Sequence, residues 1–166
     1  GMVGNNSSGT TSIRYGVTRD KIVEIKAVLS DGSLAVFNEI TSAEFIEKTK
    51  GNTLESSIYK SIYEELSNVD NQIEIIKEFQ KPEIHRRNTG YAIDLLLKSD
   101  LFGGTENTIN IGKLLCGSEG TLAFTTEITL KVDKTPPTNS VMVVAQFHSI
   151  QESLEAVVVA MKHHLY

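Results

Sequence analysis

The stretch 21-KIVEIKAVLSDGSLAVF-37 predicts an antiparallel β-hairpin. From Ile25 to Leu29 apolar and polar residues alternate, which places the apolar side chains on one side of a strand. Ser-Asp-Gly-Ser at 30–33 is a turn signal, and the apolar residues 34–37 form the returning strand. The hairpin is therefore the start of an antiparallel sheet with one buried face.

The rest of the chain mixes strand and helix patterns. Residues 121–132 predict another strand, one side of which carries Leu122, Phe124, Thr126, Ile128, Leu130 and Val132. Thr41 and Glu44 have the spacing of a helix capping box. Residues 57–66 have apolar side chains at helical spacing, and a shorter helix is predicted over 72–79. The predicted fold class is α+β, an antiparallel sheet flanked by helices.

A boundary is predicted at Pro136-Pro137, because consecutive prolines interrupt both helices and sheet ladders. After it, residues 141–147 predict a strand, and Ser149 is a candidate N-cap three residues before Glu152. The helix that follows is expected to bury a stripe formed by Leu154, Val157, Val158 and Met161. We expect residues 138–166 to be the start of a second, truncated domain.

Composition excludes several classes of protein. The chain has 166 residues, a net charge of −5 and one cysteine. One cysteine cannot close an internal disulfide or build a thiolate zinc site, and the acidic balance does not suit binding to a nucleic-acid backbone. No apolar run approaches the roughly 20 residues that span a bilayer, and no signal peptide is recognisable. We expect a cytoplasmic protein, free or peripheral at the inner face of the membrane.

The reactive side chains show no complete catalytic pattern. Ser118 lies in a glycine-framed turn without the spacing of a nucleophile elbow, although acyl transfer by this serine remains an alternative. Cys116 is expected to be a small buried residue. Arg86-Arg87 either binds an anion through bidentate contacts or forms a solvated basic turn. The four histidines lack metal-ligand spacing, so no metal site is predicted.

Two glycine-framed loops, at 4–9 and 117–121, differ from the rest of the chain. Each offers several backbone N–H groups with little steric bulk, as in the nests that bind anions. Neither matches the dinucleotide-binding fingerprint, because the first lacks a preceding strand and a correctly spaced helix. From spacing alone, each loop is either a structural turn or a phosphate-binding loop.

Several segments together resemble the FAD-linked oxidases of the vanillyl-alcohol oxidase type, also called the PCMH type. They are GMVGNNSSG at 1–9, RYG at 14–16, SDG at 30–32, RNTGY at 87–91 and LLCGSEGTL at 114–122, continuing through Thr126-Glu127. Within the family the chain is most similar to D-lactate dehydrogenases and the flavin subunit of glycolate oxidase, in the version fused to an iron–sulfur domain.

The resemblance implies a domain organisation. Residues 1–137 would be the second subdomain of a PCMH-type FAD-binding domain, with a helical insertion at 39–81. Residues 138–166 would begin the cap domain, which binds substrate. The first FAD subdomain would be absent from this chain, so one wall of the cofactor cleft would be missing.

The resemblance also implies FAD as cofactor and a set of residues that contact it. In the first loop these are Gly4, Asn5, Asn6, Ser7, Ser8 and Gly9. In the second they are Gly117, Ser118, Glu119, Gly120, Thr121, Leu122, Ala123, Phe124 and Thr125, although the family usually has glycine where Ala123 stands. No catalytic residue is assigned, because the family places these largely in the cap domain.

The activity implied for the whole protein is oxidation of a D-2-hydroxy acid, of the lactate or glycolate type, by hydride transfer to the flavin. Electrons would pass to an iron–sulfur domain or another acceptor, and this chain alone would be inactive. The alternative is a non-enzymatic module that keeps the fold and binds an anion. The flavoenzyme interpretation requires that the two glycine-framed loops, far apart in sequence, meet at one cleft.

Overall fold

A computed structural model describes residues 1–81, 84, 90–136, 138–139 and 141–163. The helices are α1 (Ser12–Tyr15), α2 (Ser42–Lys48), α3 (Leu54–Ser67), α4 (Val69–Glu78), α5 (Ile93–Leu96), α6 (Gly112–Leu115) and α7 (Ile150–Ala160). The strands are β1 (Ile22–Val28), β2 (Leu34–Asn38), β3 (Ile40–Thr41), β4 (Thr108–Ile109) and β5 (Phe124–Leu130). Short 3-10 helices cover Thr18–Lys21 and Asp100–Phe102.

The predicted hairpin is confirmed and forms part of an antiparallel sheet. Within the described residues the sheet has the strand order β2-β1-β5, with β1 at its centre. Ile25 of β1 lies opposite Phe37 of β2 on one side and Ile128 of β5 on the other. The α+β class is therefore correct. Because β5 pairs with β1, which lies about 100 residues earlier in the chain, the sheet joins segments that are far apart in sequence.

The core lies between one face of this sheet and the helices. Ile25 and Phe37 are fully or almost fully buried. Phe45 of α2 and Tyr59 of α3 meet edge to face with their ring centroids 4.9 Å apart, an arrangement that aromatic quadrupoles favour. The central strand thus holds both its sheet neighbours and the helices in one packed unit.

The helices of the 39–81 region begin where local caps dictate. The Thr41 side chain accepts a hydrogen bond from the amide of Glu44, as the capping-box spacing predicts. Thr53 and Asn68 cap α3 and α4 in the same manner. Both helices therefore start three residues earlier than their apolar patterns suggest, because polar N-caps, not apolar residues, set a helix start.

The prediction for the chain after Pro136 is partly wrong. No strand forms at 141–147, and Val141 to Val144 are at least 80% exposed. Helix α7 does form, with Ser149 accepting from the Glu152 amide, but its expected buried stripe is more than half exposed at each of Leu154, Val157, Val158 and Met161. Apolar patterns specify burial only where another surface is present to cover them.

Candidate functional site

The first loop is a compact series of turns. Asn6 lies at its centre with φ of 48°, and it is completely buried. The amides of Asn5, Asn6 and Ser7 donate to carbonyls of residues 1–3 at 2.9–3.0 Å. Asn6 tolerates the left-handed conformation better than most residues, so the sequence Asn-Asn here has a structural reason.

The second loop follows α6 and contains three residues of positive φ. Gly117, Glu119 and Gly120 have φ of 95°, 53° and 80°. Ser118 is buried, and its hydroxyl donates to the carbonyl of Leu115 at 2.8 Å. The Ser118 hydroxyl is thus buried and already hydrogen-bonded within the protein, which disfavours the acyl-transfer alternative.

Thr121 ends the second loop and fixes where strand β5 begins. Its hydroxyl lies 2.6 Å from the carbonyl of Ser118 and 2.7 Å from the hydroxyl of Tyr91. Residues 121–123 consequently belong to the loop, and β5 starts at Phe124, three residues later than predicted.

The two loops meet, as the flavoenzyme interpretation requires. The amide of Gly117 donates to the carbonyl of Val3 at 3.0 Å, and the amide of Glu119 donates to the carbonyl of Gly4 at 2.9 Å. More than a hundred residues separate these partners in sequence. Such contacts hold the loops in a fixed mutual position.

A cavity of about 730 Å³ opens where the loops meet the start of β5. Eight of the residues predicted to contact cofactor line it: Gly4, Asn5, Ser118, Glu119, Gly120, Ala123, Phe124 and Thr125. The other seven do not line it: Asn6, Ser7, Ser8, Gly9, Gly117, Thr121 and Leu122. Asn6 and Gly117 instead fix the backbone conformation of the loops. Leu122 lines a neighbouring apolar cavity of about 460 Å³.

Some amides of the two loops are not used within the fold. Most loop amides already donate to backbone carbonyls. Within the described residues, the amides of Gly4 and Gly120 donate no hydrogen bond, and both glycines line the cavity. Leu115, Phe124 and Ile128 supply apolar lining, and Glu119 has the one charged side chain among the described lining residues. This combination of apolar surface and a few polar groups suits a flat, partly polar ligand better than a bare anion.

Arg19 is the residue that sequence reasoning missed. It is 2% exposed, and its guanidinium donates to the carbonyls of Lys113, Cys116 and Gly90 at 2.5–3.0 Å. Its backbone amide donates to Oδ1 of Asn6 at 2.8 Å. A single arginine without periodic neighbours gives no sequence signal that separates it from a solvated one.

Cys116 is buried, as predicted, and is a free thiol. Its sulfur lies 3.6 Å from Oδ1 of Asn6. Burial raises the pKa of this thiol to about 11, although the nearby Arg19 charge opposes the shift. The thiol is therefore protonated at neutral pH and is a poor nucleophile.

Some of the other candidate residues lie in parts of the chain that the structure does not describe. Arg86 and Arg87, on which the anion-binding alternative depends, lie outside the described residues, as do His85 and His164. Among the residues that are described, no group of three or more His, Cys, Asp and Glu side chains could hold a metal ion. In the same part of the chain, no helix is long and apolar enough to cross a membrane.

Curated proteins named D-2-hydroxyglutarate dehydrogenase are similar to the chain. The protein from Escherichia coli K12 is 32% identical over 82% of this chain, and that from Pantoea ananatis is 30% identical over 86%. The protein from Pseudomonas putida is 29% identical over 98%. The chain spans only 12–15% of the length of these relatives. No protein-family model matches the chain, and no solved structure is significantly similar to it.

These matches confirm the resemblance to large members of the FAD-linked oxidase family that the sequence motifs indicated. The similarity extends over most of this chain, including both loops in the alignment that covers 98% of it. What the relatives' names state about substrate applies to those proteins.

Proposed function

We propose that the chain supplies one wall of the FAD cleft in a longer, FAD-dependent dehydrogenase of D-2-hydroxy acids. The observation that carries the proposal is the meeting of the two loops, through the amides of Gly117 and Glu119, around one cavity. The assignment of residues 1–137 to the second PCMH-type subdomain, and of 138–166 to the start of the cap domain, is part of the same proposal.

The chemistry of the cavity fits a flavin. The ring system of FAD has broad apolar faces and a polar edge, and the cavity pairs Leu115, Phe124 and Ile128 with the unbonded amides of Gly4 and Gly120. Bound FAD would accept the hydride from the carbon that bears the substrate's hydroxyl group. The chain's own contribution is to bind and orient the cofactor and to exclude water from one side.

The described residues that line the cavity bring little positive charge to it. No lysine or arginine is among the described residues that line it, and Glu119 is acidic. A diphosphate needs positive charge or several converging amides. We therefore assign most of the diphosphate binding to the first subdomain, and we expect this chain alone to bind FAD weakly and to be inactive.

D-2-hydroxyglutarate is the first substrate to test, because it is the one that the similar proteins' names contain. D-Lactate and glycolate are the alternatives that the sequence motifs suggest. Electrons would pass from the flavin to an iron–sulfur domain or to a separate acceptor. The substrate's carboxylate and the proton of its hydroxyl would be handled by residues of the cap domain.

The experiment is anaerobic reduction of the full-length protein that contains this chain, followed at the flavin absorption bands. Addition of D-2-hydroxyglutarate is expected to bleach the bound flavin, whereas the L-enantiomer is not. A purified full-length protein that contains no flavin and takes up none would contradict the proposal.

A matched pair of glycines tests whether the cavity holds the cofactor. Gly120 and Gly32 have φ of 80° and 84°, and an added Cβ would meet no atom within 4 Å at either position. Both alanine variants therefore incur a similar backbone strain of about 1 kcal/mol. Only Gly120 lines the cavity, so Gly120→Ala is expected to weaken FAD binding in the full-length protein by about tenfold or more, or about 1.4 kcal/mol. Equal affinities for the two variants would place the flavin elsewhere.

A further inference from the structure

Arg19 lies behind the cavity wall, where it contacts the backbone of several segments. Its side chain is 2% exposed, and its Nε atom donates to the carbonyls of Lys113 and Cys116, both at 3.0 Å. One terminal nitrogen donates to Cys116 at 2.5 Å and to Gly90 at 3.0 Å. The carbonyls of Lys113 and Cys116 belong to α6 and its end, where backbone acceptors have no helical partner, whereas Gly90 lies in the segment before α5.

The same residue also holds the first loop. The backbone amide of Arg19 donates to Oδ1 of Asn6 at 2.8 Å, and the Asn6 side chain is completely buried. Arg19 thus contacts the first loop through its main chain and, through its guanidinium, Cys116, the residue directly before the second loop. It is 13 residues from Asn6 and 97 from Cys116, so it adds a second link between segments that also bond directly through the amides of Gly117 and Glu119.

The second loop is shaped to fit the guanidinium. A Cβ added to Gly117 would lie 2.3 Å from a terminal nitrogen of Arg19, so a side chain there would displace the guanidinium from its present position. Gly117 also donates its amide to Val3 of the first loop. A planar guanidinium can bind several carbonyls in fixed directions, and its charge strengthens each hydrogen bond. A lysine ammonium is a single point of charge and lacks this geometry.

We propose that Arg19 is a positioning residue that sets the spacing of the two loops and so keeps the amides of Gly4 and Gly120 at one cavity before any cofactor binds. Arg19 itself does not line the cavity and acts through the loop backbones. The expected effect of Arg19 on FAD binding rests on the proposed function. Its effect on the spacing of the two loops does not, because that spacing is a property of the cofactor-free protein.

The test compares Arg19→Lys with Arg14→Lys, the same change at an exposed arginine of the preceding turn. Hydrogen exchange is measured on the cofactor-free full-length protein at the amides of Gly117 and Glu119, which bond to the first loop. Arg19→Lys is expected to speed their exchange by about tenfold or more, because charge-assisted hydrogen bonds are lost. Amides of the β1–β2 hairpin are expected to keep their exchange rates in both variants.

The cofactor readout is FAD affinity, measured by quenching of flavin fluorescence. Arg19→Lys is expected to weaken binding by about tenfold while Arg14→Lys leaves it unchanged. A uniform increase of exchange throughout the protein, or faster loop exchange with unchanged FAD affinity, would overturn the positioning role. If the wild-type protein binds no FAD but the loop amides respond as expected, the proposed function fails and the loop coupling stands.

A second variant keeps the inference testable if the Arg19 variants do not fold. Asn6→Gly removes the Oδ1 acceptor of the Arg19 amide, and glycine accepts the φ of 48° without strain. Loss of this link is expected to speed exchange at Gly117 and Glu119 as well, although both lie in the other loop. Unchanged exchange at these two amides in Asn6→Gly would show that the loops are not coupled through Arg19.

Discussion

The properties of single residues around the loops follow from burial more than from residue type. Cys116 and Arg19 are adjacent in space, and both are almost completely buried. Burial favours the neutral thiol, whereas the guanidinium donates hydrogen bonds to three backbone carbonyls. The same buried environment therefore makes the Cys116 thiol unreactive and holds the Arg19 guanidinium in one position.

Cys116 is expected to be unreactive in the native protein. Its pKa is raised from 9.0 to about 11 by burial. A folded-state pKa above the unfolded one contributes stability that is complete below pH 9 and is lost as pH rises toward 11. A thiol reagent at pH 8 should therefore modify Cys116 only after urea is added.

The control for this prediction is Cys116→Ala, which has no thiol to titrate. Between pH 8 and pH 10.5 the wild-type free energy of unfolding should fall relative to that of the variant. Rapid modification of the native thiol at pH 8, or parallel pH curves for the two proteins, would contradict the buried environment.

The sequence identifies the loop residues through glycine and asparagine, which mark unusual backbone. It predicts the contact of the two loops only through the family resemblance, because no local pattern relates residues 4–9 to 117–121. The role of Arg19 could not be predicted either, because no local sequence pattern relates it to its partners. Its role depends on carbonyls of Gly90, Lys113 and Cys116, which are backbone atoms that every residue possesses.

Helices and strands differ in how far local sequence determines them. The caps of α2 and α7 follow from Ser or Thr with Glu three residues later, and both helices form. The strand predicted at 141–147 does not form, since a strand needs a neighbouring strand for its hydrogen bonds. The hairpin satisfies that need within 17 residues, which is why its prediction is correct in position.

The capping box of α2 is expected to contribute measurably to stability, because α2 carries the buried Phe45 into the core. Thr41→Ala removes the acceptor of the Glu44 amide and should lower the free energy of unfolding by about 1 kcal/mol. Thr41→Ser keeps the hydroxyl and should cost much less. Urea unfolding of both variants checks this, and equal losses would mean that the cap contributes nothing.

Acid is expected to weaken the same capping box. Hydrogen bonds from the Thr41 amide and hydroxyl lower the pKa of Glu44 below its usual value of 4.5. A lowered folded-state pKa contributes stability above the unfolded pKa, and this is lost as pH falls through the folded one. The difference in the free energy of unfolding between wild type and Glu44→Gln should therefore shrink below pH 4.5. A difference that stays constant with pH would contradict the hydrogen bonds from Thr41 to the Glu44 carboxylate.

For the whole molecule, the distribution of exposed apolar residues separates a packed part from an unpacked one. The core cluster includes residues from Ile22 to Cys116. Beyond β5, Val132 and Val141 to Val144 are at least 80% exposed. So many strongly exposed apolar side chains are unusual on a protein in water, which supports the proposal that these residues pack against the remainder of a cap domain.

Removal of residues 135–166 is therefore expected to leave the packed part intact. The truncated chain keeps β5 and the ion pair between Lys21 and Asp133, whose charged atoms are 2.7 Å apart. Its free energy of unfolding should lie within about 0.5 kcal/mol of that of the full 166-residue chain. Binding of a dye that reports exposed apolar surface should decrease, because the truncation removes that surface.

A longer truncation, after Ala123, provides the contrast. It also removes β5, which pairs with the central strand and lies opposite the fully buried Ile25. Loss of a ladder along β1 leaves buried backbone groups without partners, at about 1–3 kcal/mol each, so this chain is not expected to fold. If the shorter truncation were as damaging as the longer one, residues 135–166 would have to pack on the core, and the division of the chain at Pro136 would be wrong.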